Sequence, residues 1–250
     1  MTVRKYKLII AYDGTGYEGW QARSNGRGIR QTITGACEQL LGSAPEIIAS
    51  SRTDAGVHAR GLVAHLELTD GHPLFTGAQL RLALNAQLPA EIRILSAARA
   101  RADFNARFDA ITKEYRYQVW NHPVMAPLLR HQAWHIPRPL DLAVMREAAA
   151  YLTGRHDFRA FTAKRKGELL DSTRTLHTCQ IKRSGARLTF HLIGEGFLYK
   201  MCRRIVGTLV QVGEGKLTPA EVKSLLHPPT EHQAGMIAPA HGLILWKVRY

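Results

Sequence analysis

With 250 residues, 45% apolar and 22% charged, the chain has the mix of a globular protein with a sizeable core, in one large or two modest domains, which excludes wholesale disorder. No apolar run approaches the ~18 residues of a membrane span, the opening MTVRKYKLIIAYDG meets charge and turn residues too soon for a signal peptide, and three widely spaced cysteines (Cys37, Cys179, Cys202) argue against a disulfide framework and for a reducing cytoplasm. Lys and Arg number 34 against 20 Asp and Glu, a net charge of +14 that points to a polyanionic partner, nucleic acid before membrane.

That charge is uneven. Residues 1–100 hold 11 basic and 8 acidic groups, and residues 101–250 hold 23 and 12. In chain order, Lys5–Tyr12 reads as a strand ending at the Asp13-Gly14 turn. Ile33, Ala36, Cys37, Leu40 and Leu41 share one helical face. Strands follow at Glu46–Ser50 and Leu62–Leu68, the second with Leu62, Ala64, Leu66 and Leu68 on one side, then a helix at Gln79–Asn85 and a strand at Ile92–Ala98.

The grammar then repeats. Glu114–Trp120 alternates, with Tyr115, Tyr117 and Val119 facing one way. A helix covers Asp141 to Leu152 and stops at Gly154; Arg174–Lys182 and Arg187–Ile193 flank a Ser184-Gly185 hairpin turn. Leu198, Met201, Cys202, Ile205, Leu209 and Val212 mark a long helix, Thr218-Pro219-Ala220-Glu221 caps another, and Leu243–Val248 closes as a strand. Hairpins without a βαβαβ run give an α+β fold, helices packed on a largely antiparallel sheet. Two halves on one plan are expected, residues 1–103 and 104–250.

Several motifs fail on inspection. Gly14-Thr-Gly16-Tyr-Glu-Gly19 has the spacing of a dinucleotide loop and follows a strand, but residues 20–30 lack the helical period that must open at the third glycine. It reads as a glycine-rich turn exposing Tyr17 and Trp20. His131 and His135 have metal-compatible spacing with no Cys-x-x-Cys beside them, so no metal is assigned. The basic run Lys164-Arg165-Lys166, near Phe158 and Phe161, is a candidate lining for a nucleic-acid path.

Between two of the strands stands Ser50-Ser51-Arg52-Thr53-Asp54-Ala55-Gly56-Val57-His58. Taken alone it is ordinary turn chemistry. In a basic protein, however, a carboxylate on a loop would repel phosphate, so Asp54 needs a reason, and catalysis is one.

This run, preceded by Tyr12-Asp-Gly-Thr-Gly-Tyr-Glu-Gly-Trp-Gln21, resembles the signature of the TruA-type tRNA pseudouridine synthases. Leu84-Asn-Ala-Gln-Leu-Pro89, Ala106-Arg-Phe108, Lys113-Glu-Tyr-Arg-Tyr117, His156-Asp-Phe158, Phe197-Leu-Tyr-Lys-Met-Cys-Arg203 and Ala240-His-Gly-Leu243 then follow in family order, so the resemblance spans nearly the whole chain. It implies cofactor-free isomerisation of uridine to pseudouridine in the tRNA anticodon arm, at positions 38 to 40. It implies Asp54 as the catalytic aspartate, Tyr115 as the tyrosine packing on the target base, Arg203 as the arginine pairing with the aspartate, and Arg52 as a neighbour in the signature loop. It also implies a homodimer of two related α/β halves, each with a basic cleft between the halves, and no membrane role. Two departures stand out: Ser51 where the family usually has glycine, and Arg23 where it commonly has glutamine. Two other readings stay open, a noncatalytic tRNA-binding protein and a nicotinamide oxidoreductase.

Overall fold

The computed structural model describes residues 3–22, 26–163, 171–227 and 234–250. The chain divides into two compact units, Met1–Ile111 with Leu245–Tyr250, and Thr112–Ile244. The expected change-over at 103/104 thus falls within the first unit, and the last six residues return to it. Nothing in local composition signals that return, because it depends on strand pairing far along the chain.

The first unit holds β1 (Arg4–Tyr12), α1 (Ile29–Leu41), β2 (Ile47–Ala49), β3 (His58–Leu68), α2 (Gly77–Gln87) and β4 (Ile92–Arg99). Its sheet runs β4-β1-β3, with β2 on β3 and then β10 (Leu243–Arg249) on the far side of β3. β1 and β3 are antiparallel, Tyr6 opposite Leu66, Leu8 opposite Ala64 and Ile10 opposite Leu62. All six side chains are fully buried, each large apolar one contributing roughly 1.5–3 kcal/mol. Over this face lie the helices, α1 burying Ile29, Ile33, Ala36 and Cys37, and α2 burying Leu80 and Leu84. Thr76 and Gln79 close a capping box at the start of α2. The opposite face of β3 is covered as well, so Val63 and His65 are buried and the strict alternation expected of it fails.

The second unit holds β5 (Thr112–Asn121), β6 (Trp134–Ile136), α3 (Leu142–Tyr151), β7 (Gly154–Asp157), β8 (Thr173–Ser184), β9 (Arg187–Gly194), α4 (Met201–Gly213) and α5 (Pro219–Ser224). Its sheet runs β5-β9-β8-β7, antiparallel throughout, with the short β6 parallel on β5. Tyr115, Tyr117 and Val119 face Leu192, Phe190 and Leu188 and are buried, as their alternation requires. α4 is buried round nearly its whole circumference. Asp141 accepts from Ala143 N and Val144 N at the start of α3, and Thr218 boxes Glu221 at the start of α5.

Sheet and helices together are α+β and largely antiparallel. β6 and β7, three and four residues long, carry too little alternation to be read from sequence. α4 starts at Met201 rather than Leu198 because Lys200 sits in the left-handed region (φ 59), the only non-glycine with positive φ among the described residues. Gly154 likewise opens β7 with φ +119 instead of ending α3.

Candidate active site

Asp54 is half-buried on the loop joining β2 to β3, and Arg52 two residues earlier is exposed. The loop has almost no regular structure, yet it is fixed by the segment that follows β1. Trp20 N–H donates to the Thr53 carbonyl (3.1 Å), Gly56 N–H donates to the Tyr17 carbonyl (3.1 Å), and Val57 N–H closes a turn on the Asp54 carbonyl (3.1 Å). The Tyr12 and Thr53 hydroxyls share a buried hydrogen bond of 2.8 Å. Gly14 N–H donates to His58 Nδ1 (3.0 Å), beside the Asp13 carboxylate, whose Oδ1 also caps Thr15. Main chain on either side of Asp54 is therefore tied to residues 12–20, and the carboxylate is carried on a rigid support.

This arrangement corrects one expectation and agrees with another, the rejection of a dinucleotide loop. Tyr17 and Trp20 are not exposed; they are 4% and 3% accessible, packed under the loop they hold. Their glycine neighbours exist for close approach, not for phosphate. A Cβ on Gly14 would drive into the Val57 carbonyl, and one on Gly19 (φ +95) into the Thr53 carbonyl. No helix opens at Gly19; α1 begins ten residues later. The backbone amides a pyrophosphate would need are covered, so the dinucleotide reading fails. Ser51 is not among the residues with positive φ, so serine in place of glycine brings no backbone strain. Arg23 lies outside the described residues.

In the second unit, Tyr115 is 5% exposed and meets Phe197 edge-on, ring centroids 5.1 Å apart at 80°. Arg203, in the first turn of α4, donates Nε to the Ala238 carbonyl (2.8 Å), and Tyr117 donates its hydroxyl to the next carbonyl, Pro239 (2.8 Å). Burial pushes the Tyr117 hydroxyl well above its ordinary value, and the nearby Arg203 charge partly offsets this. Arg203 and Tyr117 are thereby brought to one region, with residues 238–239 as their common brace. Arg204 beside it is buried and donates to the Ala234 carbonyl (3.0 Å).

Phe158 and Phe161 are fully buried core residues and cannot line a surface path; Lys164, Arg165 and Lys166 lie outside the described residues. His135 Nε2 is engaged by the His122 carbonyl at 2.8 Å. Among the described residues no group of three or more His, Cys, Asp or Glu is placed to hold a metal ion. A hollow of about 380 Å³ opens beside Tyr12, Asp13, Arg60, Glu91 and Arg93, and none of the four expected site residues lines it.

Residues missed by sequence reading are Tyr12, Gly14, Tyr17, Gly19 and Trp20, the brace of the Asp54 loop, and Phe197, the cover of Tyr115. The glycine spacing marks close backbone approach, to the main chain at Thr53 and Val57.

The family model described as tRNA pseudouridine synthase matches residues 8–109 and 148–250. Arg52 and Asp54 fall in the first stretch, Arg203 in the second and Tyr115 between them. The chain is 44% identical to tRNA pseudouridine synthase A of Geobacter sulfurreducens, over 99% of this chain and 100% of that one. It is 43% identical to the protein of that name from Pelobacter propionicus (99% and 100%) and 42% identical to that from Geobacillus kaustophilus (99% and 95%). No helix among the described residues is long and apolar enough to cross a membrane. The chain belongs to the tRNA pseudouridine synthase family, isomerases that turn uridine in tRNA into pseudouridine.

Proposed function

We propose that this chain isomerises uridines at positions 38 to 40 of the tRNA anticodon arm, without a cofactor, with Asp54 as its catalytic carboxylate. The observation that carries this is the half-buried Asp54 in Arg52-Thr-Asp-Ala-Gly-Val-His58, on a loop whose backbone is tied to residues 12–20. A flexible acid would lose the orientation that bond-breaking at a sugar carbon needs; a tethered one keeps it.

The reaction breaks the N1–C1′ bond, turns the base, and rejoins it through C5, whose hydrogen leaves to water as a proton while N1 takes one up. Positive character builds at C1′ as the glycosidic bond opens. An ionised carboxylate can stabilise that charge, attack the carbon, or remove a sugar proton, and all three demand that Asp54 be charged. Burial favours the neutral acid; a guanidinium favours the anion. Arg203 is proposed as that cation and Arg52 as a neighbour contacting the substrate. The target uridine must leave its stack, at a cost of a few kcal/mol, and Tyr115 is the flat ring proposed to receive it. The working form is a homodimer in the cytoplasm, with tRNA and no membrane as partner.

Transcripts carrying C5-tritiated uridine test the reading. Wild type is expected to release tritium and to leave pseudouridine only at positions 38, 39 or 40. Binding without release would make the chain a noncatalytic tRNA-binding protein, and pseudouridine elsewhere would overturn the position. For Arg203→Gln, turnover is expected to fall at least about tenfold while tRNA affinity and melting temperature stay close to wild type. Unchanged turnover contradicts the role given to Arg203.

A further inference from the structure

An apolar side chain standing alone in water is ordinary. Phe108 is a different case. Its side chain is 76% exposed, yet the loop that carries it, residues 104–109, is tied down from both sides. Within the loop, Asn105 Oδ1 accepts from Arg107 N (2.9 Å) and Phe108 N (3.2 Å). Asn105 N donates to Asp109 Oδ2 (3.1 Å), and Asp109 N donates back to the Asn105 carbonyl (3.0 Å).

Beneath the loop, Ala106 N–H donates to Nδ1 of the fully buried His65 (3.1 Å), and the Tyr250 hydroxyl donates to the Ala106 carbonyl (2.7 Å). Phe104 seals this base against the rings of His65 and Tyr250, at centroid distances of 6.0 and 5.2 Å. The Ala106 N–H makes Nδ1 an acceptor, and burial, reinforced by Lys5 and opposed by Glu67 and Glu46, pushes His65 below its ordinary value. A buried histidine and the C-terminal tyrosine thus hold a loop whose tip projects an aromatic ring into solvent.

The ring is accompanied by charge. The Arg107 guanidinium lies 5.3 Å from its centroid. Arg101 is shared with Asp103 and Asp109, at 3.5 and 3.9 Å, whereas among the described residues no carboxylate pairs with Arg107. An exposed ring on a tethered base beside a guanidinium with no carboxylate partner among the described residues, in a chain of net charge +14, matches the chemistry of unpaired nucleotides, which present a flat base next to a phosphate.

We propose that Arg107 and Phe108 form a nucleotide platform for the tRNA substrate, separate from the Asp54 loop: an unpaired base stacks on the Phe108 ring, and Arg107 neutralises the adjoining phosphate. The inference rests on tRNA being the substrate and adds to that reading a contact that sets how the RNA is held.

Equilibrium binding of an unmodified tRNA transcript, followed by fluorescence anisotropy with sedimentation velocity alongside, tests it. Phe108→Ala and Phe108→Leu are each expected to weaken binding about five- to a hundredfold, and Phe108→Trp to bind within about twofold of wild type. Arg107→Gln is expected to lower the slope of log affinity against log salt by about one. All four should keep the wild-type melting temperature and sedimentation coefficient. Wild-type affinity in Phe108→Ala overturns the platform. Wild-type affinity in Phe108→Leu also overturns it, since the site then needs only apolar cover. A lowered sedimentation coefficient in Phe108→Ala overturns it in favour of contact with a second copy. A wild type that binds no tRNA overturns the substrate reading and the platform together; a wild type that binds while Phe108→Ala binds equally well overturns the platform alone.

Discussion

The Asp54 loop and the Tyr115–Arg203 region are held by different means. Asp54 sits on irregular backbone kept in place by main-chain bonds from residues 12–20, with Trp20 and Gly56 donating to carbonyls across the gap. Tyr115 and Arg203 sit on a strand and a helix, and their own side chains make the contacts that hold them: the Tyr115 ring against Phe197, and Arg203 Nε on the Ala238 carbonyl. Main-chain bonding tolerates many side chains but few backbone changes, while side-chain bracing does the reverse. A loop built the first way is sensitive at its glycines; an element built the second way is sensitive at its ring and hydroxyl groups.

Substitutions in each region sharpen that contrast. Gly19→Ala is expected to have the largest effect, because the added methyl meets the Thr53 carbonyl at a positive φ: about 1–3 kcal/mol lost in urea denaturation, with kcat falling further as Asp54 is displaced. If Gly19→Ala matched wild type in both, the loop would not be held as described. Tyr117→Phe comes next. It removes the hydroxyl bond to Pro239 and should cost about 1 kcal/mol, read from the same denaturation midpoint. A loss as large as that of Gly19→Ala would erase the difference between the regions. Ser51→Gly should be smallest, at most about 0.5–1 kcal/mol and destabilising, since glycine adds only unfolded-state freedom where φ is not positive. A stabilised Ser51→Gly would mean that serine is strained there.

The same contrast explains what the sequence made legible. Regular elements announce themselves through period: Tyr115, Tyr117 and Val119 alternate and are buried, and Thr218 with Glu221 caps a helix. Asp54 stood out because a carboxylate on a loop of a basic chain is electrostatically out of place, and Arg203 through resemblance alone. Tyr17 and Trp20 were misread as exposed because polar, glycine-rich sequence looks the same whether it faces water or backs another loop. His65, buried on the second face of β3, is hidden from sequence reading because its cover, the 104–109 loop, comes from forty residues away. The return of Leu245–Tyr250 to the first unit is equally non-local.

Tritium release from C5-labelled tRNA by Asp54→Asn, beside wild type, tests the central claim most directly. Asparagine keeps the shape of the side chain and removes only its charge, so melting temperature and tRNA affinity should stay close to wild type while turnover falls on the order of 10³-fold or more. Turnover within a few-fold of wild type, in a variant that still binds tRNA, would contradict a role for an ionised carboxylate at residue 54.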